Sequence, residues 1–309
     1  MVIPNIRRRV VGNNIWLSHA EAGTQKDLAQ AAVYKIEPDV QPTEEAVGLA
    51  MWAEIEAAAS ARQGDLVILL LGGRGAQALH RLIGEKARTN ETDELLKRLQ
   101  VFTQDALAPM AMDNGFSFVR DFERLLGPAF FGKVKSFTSM TTDTGDLEGE
   151  LARYIEKLEA LGGIDILFLG LGPEAEAASH LAYIKPGSGA TIEDFAGMIP
   201  ISASILEHHI SKFKAGGSTV TEADEAECRA ATNILTLGPA AILRARRIVQ
   251  SIVDASTAPA KRASYRRVLE AEIASDPTQR AAQLDANPGL WIRLHPNVRS
   301  LILPDVLED

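Results

Sequence analysis

Three glycine-rich turns are the first places in this sequence where residue type and spacing point to chemistry: Gly72-Gly73-Arg74-Gly75, Gly170-Leu171-Gly172-Pro173 and Gly238-Pro239. Each ends a short apolar run. Glycine lets backbone come close to a ligand, and a helix that follows offers free N–H groups at the positive end of its dipole. Such turns suit phosphate or carboxylate, although tight strand-to-helix connections also need glycine for geometry alone. At the first turn the Arg74 guanidinium joins the amides of Gly72, Gly73 and Gly75, which favours an anion site. The second turn also fits G-x-G-x-x-A. The acidic residues about 20 positions on, Glu193 and Asp194, follow a polar stretch and not an apolar run, so no nicotinamide cofactor is expected. There is no Walker sequence, His-Glu-x-x-His or nucleophile elbow. His208 and His209 are adjacent, do not share a helix face and lack a spaced carboxylate pair. They read as a surface pair, and no metal or other cofactor is expected. Cys228, in a Glu/Ala-rich helical stretch, reads as a small buried residue.

These turns need strands and helices to hold them. Thr43 can cap a helix opening with Glu44 and Glu45, whose Val47, Met51, Trp52, Ile55 and Ala59 fall at helical spacing. Leu66 to Leu71 is apolar on both faces, as a buried parallel strand requires. Ile164 to Leu169 and Asn233 to Leu237 repeat the strand–turn–helix pattern, the last with a helix expected from about Ala240 to Val253. Leu99 to Phe102, Val134 to Phe137 and Val298 to Leu303 are further strand candidates. The first forty residues read as irregular, with a turn at Gly12-Asn13-Asn14. Strands alternating with helices predict an α/β fold: a three-layer sandwich around a mainly parallel, Rossmann-like sheet. One domain over residues 1–309 is expected, with 186–217 as a lid or side excursion. Ligands of such sheets lie beyond the carboxyl ends of the strands.

The chain has 309 residues and a net charge of −9, from 32 Lys plus Arg and 41 Asp plus Glu. It is long enough to bury a core without staples. One cysteine rules out an internal disulfide and a cysteine-based zinc site. The acidic balance argues against nucleic acid as a partner, and the apolar runs are too short for a membrane span. The N-terminal arginines lack an apolar stretch after them, so no signal peptide is visible and a cytoplasmic location is expected.

The run from Leu147 to Ser188 carries a resemblance. It opens with a helix candidate, passes through Gly162-Gly163-Ile164-Asp165 to Leu169-Gly170-Leu171-Gly172, and closes with His180-Leu181-Ala182-Tyr183-Ile184-Lys185-Pro186-Gly187-Ser188. It resembles the glucosamine-6-phosphate deaminase (isomerase) family and its relatives, the 6-phosphogluconolactonases. Other segments agree in order: Leu71 to Gly75 with the family's phosphate loop, Phe102-Thr103-Gln104-Asp105 with a strand end, Leu235 to Gly238, and Leu294-His295-Pro296. The resemblance covers roughly residues 35 to 305.

By this resemblance the fold is of the sugar-phosphate isomerase type and the substrate a phosphorylated sugar or amino sugar. Asp105 is then the base that moves a proton between C2 and C1, His180 assists ring opening, and Glu174 replaces an orienting aspartate. Gly72, Gly73, Arg74 and Gly75 with Lys212 and Lys261 hold phosphate; the four cations Arg74, Lys185, Lys212 and Lys261 further suit a second acidic group on the substrate, met by Lys185 or Arg74. The sequence departs from the family at Ala106 where the deaminases have Glu, at Lys185 where they have a catalytic Glu, in the five residues between Glu174 and His180, at Arg74 where the phosphate loop has a hydroxyl, and in lacking an Arg-rich effector segment near Glu193 to Pro200. Two other readings therefore stay open, a sugar-lactone hydrolase in which His180 activates water, and a sugar-phosphate-binding protein without turnover. The expected partner is a small anionic sugar, and a homo-oligomer is compatible with all three readings.

Overall fold

The computed structural model describes residues 6–19, 25–173 and 179–308. In chain order the strands are β1 (Ile6–Val11), β2 (Asn14–His19), β3 (Pro38–Val40), β4 (Leu66–Leu70), β5 (Leu99–Thr103), β6 (Asp105–Ala108) and β7 (Ser136–Thr138). They continue with β8 (Ile166–Leu169), β9 (Gly172–Pro173), β10 (Ser179–His180), β11 (Asp194–Pro200), β12 (Asn233–Leu237), β13 (Arg247–Ile252) and β14 (Val298–Ile302).

Seven of these strands form a parallel sheet in the order β3-β14-β13-β8-β4-β5-β7. Its centre is the apolar run at β4. Successive side chains of a strand point to opposite faces. Leu66, Ile68 and Leu70 therefore meet Met51 and Ile55 of the helix Glu44–Ala61, Ile83 of Gln77–Ala87 and Phe122 of Phe118–Phe131. Val67 and Leu69 face the other layer, with Ile155 and Leu158 of the helix Leu147–Ala160. The molecule is thus the α/β, three-layer arrangement expected, with Thr43 capping its helix through the amide of Ala46 at 3.1 Å. From β4 the chain builds outward to β5 and β7, then crosses to β8, β13 and β14 on the other side. The β4–β8 boundary is therefore the point where the strand order reverses.

A second sheet, antiparallel throughout, runs β1-β2-β11-β12-β6. Trp16, Phe195 and Leu235 from it share one core with Val67 and Leu69. The chain passes from the parallel sheet to this one through a single residue, Gln104. Its carbonyl accepts from the Leu237 amide at 3.1 Å, and its side-chain amide donates to the Phe168 carbonyl at 2.6 Å. Asp105 is thereby fixed where the two sheets meet.

Several expectations are corrected here. The first forty residues contain the β1–β2 hairpin. Its three arginines hide the strand pattern, although Arg8 pairs with Glu148 at the surface and Arg9 with the buried Asp194. Gly12, at φ 58°, takes the first position of the two-residue loop, where a left-handed φ suits the strand twist. Asn233–Leu237 is antiparallel and not a third parallel unit. The helix expected from Ala240 to Val253 stops at Arg244, and Arg247–Ile252 is a central parallel strand. Its β-branched Ile248, Val249 and Ile252 favour the sheet, where they are buried on both faces. Residues 186–217, expected as a lid or excursion, hold β11, paired on both sides, and the helix Ala203–Ala215. Strand β9 pairs antiparallel with β10, so that Gly172 lies opposite His180; the Ala/Glu-rich helix expected after Pro173 lies outside the described residues.

Candidate active site

The carboxyl ends of β4, β5, β8 and β13 surround an open cleft. Gly72 to Gly75 enter from β4, Gln104 and Asp105 from the end of β5, Gly170 to Gly172 from β8, and Ser251 and Asp254 from the end of β13. His208, His209 and Lys212 come from the helix Ala203–Ala215, and Lys261 from the helix Ala260–Glu270. The cleft thus lies at the reversal of strand order.

At the apolar end stands Asp105, only 6% exposed. Among the described residues no hydrogen bond or ion pair reaches its carboxylate. Burial disfavours the charged form and pushes the carboxyl up to about 7. The buried phenols of Tyr154 and Tyr183 both feel its charge and are raised, each mainly by its own burial. At neutral pH such a carboxyl holds a proton about half the time, so it can both accept and return one.

His180 is buried at the same cleft. Gly172 makes room for it, since a Cβ there would fall inside the imidazole ring. The ring of Tyr183 stacks on it, with centroids 4.8 Å apart and planes within 14°. On the β4 side, Gly72 packs its bare Cα against the Phe118 ring, leaving no space for a side chain. The Ser251 hydroxyl ties the loop down by donating to the Gly75 carbonyl at 2.5 Å.

The other end of the cleft is basic. Lys261, 8% exposed, pairs with Asp254 at 2.5 Å. Burial alone would raise the Asp254 carboxyl, but Lys261, with Lys212 and His208, brings it below its ordinary value. Lys212 donates to the Thr257 hydroxyl at 2.7 Å. Its pKa is lowered, first by burial and then by Lys261 and Arg74, although Asp254 works the other way. Arg74 itself pairs with Glu44 at 2.7 Å. Three cations stand against two carboxylates, so this group keeps one positive charge for an anion. His208 adds none at neutral pH. Burial, then the charges of Lys261 and Lys212, lower it to about 4.

Of the residues singled out from sequence, Asp105, His180, Gly72, Gly73, Arg74, Gly75, Lys212 and Lys261 all line this one cleft. Lys185 does not. Its ammonium donates to the Pro200 carbonyl, which corrects the expectation that it meets substrate. Glu174 lies outside the described residues. The surface reading of the histidine pair is also corrected. His209 is buried, its Nε2 donates to the Phe116 carbonyl at 2.7 Å and its ring stacks on Phe213, while His208 faces the cleft. The signal for His208 was its place four residues before Lys212, on the same helix face. Asp254 was missed because the strand before it read as helix, and Tyr183 because an aromatic beside His180 looks like core. His295 donates from Nε2 to the Ala245 carbonyl at 2.6 Å. Cys228 is buried, and burial pushes its thiol up to about 12. Among the described residues there is no group of three or more metal-ligating side chains, and no helix long and apolar enough to cross a membrane.

No protein-family model matches the chain. A stretch of 59 residues, 19% of this chain, is 46% identical to a glucosamine-6-phosphate deaminase of Bacteroides thetaiotaomicron and spans 20% of that protein. Another of 56 residues, 18% of this chain, is 38% identical to the glucosamine-6-phosphate deaminase of Bacteroides fragilis and spans 19% of it. The matched stretches therefore span about a fifth of these curated relatives. Among solved structures, a monomeric glucosamine-6-phosphate deaminase superposes with a TM-score of 0.64 at 19% identity, over 88% of this chain and 98% of that one. The 6-phosphogluconolactonase of Trypanosoma brucei superposes with a TM-score of 0.60 at 18% identity, over 89% of this chain and 98% of that one. At such identities the likeness is one of fold. The chain thus has the fold of the solved glucosamine-6-phosphate deaminase and 6-phosphogluconolactonases, and its resemblance to the deaminase family is that of a divergent relative.

Proposed function

We propose that this protein is an enzyme acting on a phosphorylated sugar by proton transfer between C2 and C1, as an isomerase or deaminase would. The observation that carries the reading is Asp105: a buried, unpartnered carboxyl at the cleft, held near 7, can take a proton from one carbon and return it to the next. The Gly72–Gly75 backbone and Lys212 receive the phosphate at the basic end, which sets the sugar carbons between there and Asp105. Lys261 and Asp254 hold that end rigid through their ion pair. His180 lies in the same cleft, where it exchanges a proton with the ring oxygen so that the sugar opens before C2 is attacked. The local sequence similarity to glucosamine-6-phosphate deaminases supports an amino-sugar phosphate as one substrate to try first.

A second reading, lactone hydrolysis with water activated by His180, is favoured by Ala106. It leaves β6 without a second carboxylate next to Asp105. Asp105→Asn separates the readings. Incubated with aldose and ketose 6-phosphates, amino-sugar phosphates and sugar-phosphate lactones, the wild type should turn over the first groups and the variant should not. Lactone turnover that survives Asp105→Asn supports hydrolysis instead. A wild type whose melting temperature no phosphorylated sugar raises contradicts both.

A further inference from the structure

Two neighbouring residues without the freedom of glycine sit in left-handed backbone: Ala182 at φ 46° and Tyr183 at φ 61°. They are the central pair of a turn closed by Leu181 and Ile184. The Ile184 amide donates to the Leu181 carbonyl at 2.8 Å, and the Leu181 amide returns a bond to the Ile184 carbonyl at 3.3 Å. Turns of this hand are usually built from Asn and Gly. An ordinary L-residue in the left-handed region is strained, because its Cβ crowds the following carbonyl oxygen. Strain of this kind concentrates where surrounding structure over-determines it, often beside a functional site.

Here the turn delivers Ala182 and Tyr183 to the cleft. It carries the Tyr183 ring onto His180, 4.8 Å between centroids and nearly coplanar. On the imidazole's side away from free space, Gly172 offers bare backbone, and any Cβ there would overlap the ring. His180 is thus seated against Gly172 with the phenol ring stacked over it. Both rings line the cleft that holds Asp105.

We propose that Tyr183 is a positioning residue whose ring, presented by the left-handed turn, fixes the plane of the His180 imidazole in the cleft. The proposal rests on the reading of His180 as the group that exchanges a proton with the sugar ring. The stacking surface carries this role and the hydroxyl does not, so Tyr183→Phe should preserve it. Tyr183→Gly relaxes the backbone at φ 61° and removes the ring, so it should abolish the positioning without straining the fold.

The first measurement is the histidine ring NMR signals of the unliganded protein, which need no substrate. The His180 signals should broaden in Tyr183→Gly and shift by more than the lost field of the stacked ring accounts for, as the imidazole takes up other orientations, and should stay in place in Tyr183→Phe, while His19, His80, His209 and His295 hold their positions in both and report an intact fold. The second measurement is turnover. Tyr183→Gly should lose on the order of 10²-fold in kcat with KM little changed, and Tyr183→Phe should recover it. An unmoved His180 signal in Tyr183→Gly, or a Phe variant as impaired as the Gly variant, overturns the proposal. If Asp105→Asn leaves turnover intact, the proton-transfer reading falls, while the NMR comparison still decides whether Tyr183 holds His180.

Discussion

The Asp105 carboxyl ties stability to the same property that suits it for proton transfer. An unfolded aspartate ionises near 3.8, and burial raises this one to about 7. Below 3.8 both states hold the proton. Between about 4 and 7 only the unfolded state releases it, so stability falls as pH rises through that window and the loss is complete above 7. Each unit crossed lowers stability by up to about 1.4 kcal/mol. Asp105→Asn, which has no charge to bury, should therefore melt higher than the wild type at pH 8 by a clearly larger margin than at pH 5. Thermal melts of both proteins at both pH values check this, and equal margins contradict it. As a base the group must be ionised, so kcat/KM should rise through a midpoint near pH 7. Asp105 and His180 were legible in the sequence, because each sits at a strand end within an ordered series of motifs. Tyr183, His208 and Asp254 were not. Their role depends on what packs opposite them, and spacing along the chain does not encode that.

At the scale of elements, the helix Gln77–Ala87 buries His80 completely, against Phe122 at 4.9 Å, with neither ring nitrogen hydrogen-bonded. Burial lowers its pKa from 6.5 to about 3. The unfolded state takes up a proton below about 6.5 that the folded state refuses, so this histidine costs stability increasingly as pH falls from 6.5 towards 3. His80→Leu should raise stability by roughly 1–3 kcal/mol at pH 7, because an unpaired buried polar group is removed. The advantage should widen at pH 4. Urea unfolding of both proteins at the two pH values measures it. The turn after β8 gives a second prediction. Gly172→Ala drives a methyl group into the His180 ring. Turnover should drop about 10²-fold through loss of alignment, measurable as kcat on whichever sugar phosphate the wild type converts. Activity equal to wild type would mean that His180 has no part in the chemistry. Apolar strands such as β4 were readable because they are buried on both faces. The strand β13 was not, because Arg244 and Arg246 ahead of it and Arg247 at its start read as a continuation of the preceding helix. In the fold Arg246 and Arg247 instead reach Asp165 and Glu54 at the amino ends of the strands.

For the whole molecule, the net charge of −9 conceals a cleft with Arg74, Lys212 and Lys261 at one end and an unpartnered carboxyl at the other. The fold explains this arrangement. The chain leaves the neighbouring strands β4 and β8 towards opposite sides of the sheet, and it leaves the parallel sheet at Gln104 to found a second one, so the glycine-rich loops and Asp105 meet at one edge. The α/β class and the parallel sheet followed from the alternation of apolar runs and helices. The antiparallel sheet did not, because its outer hairpin is arginine-rich and its inner strand Asp194–Pro200 lies in a stretch with the composition of a loop. The central claim concerns one proton, and hydrogen exchange reads it most directly. The wild type is incubated with a phosphorylated sugar that raises its melting temperature, in heavy water, and deuterium at C1 and C2 of the sugar is followed by NMR. The account predicts incorporation by the wild type and none by Asp105→Asn. A bound sugar that exchanges no carbon-linked hydrogen, or exchanges it equally with the Asn variant, contradicts it.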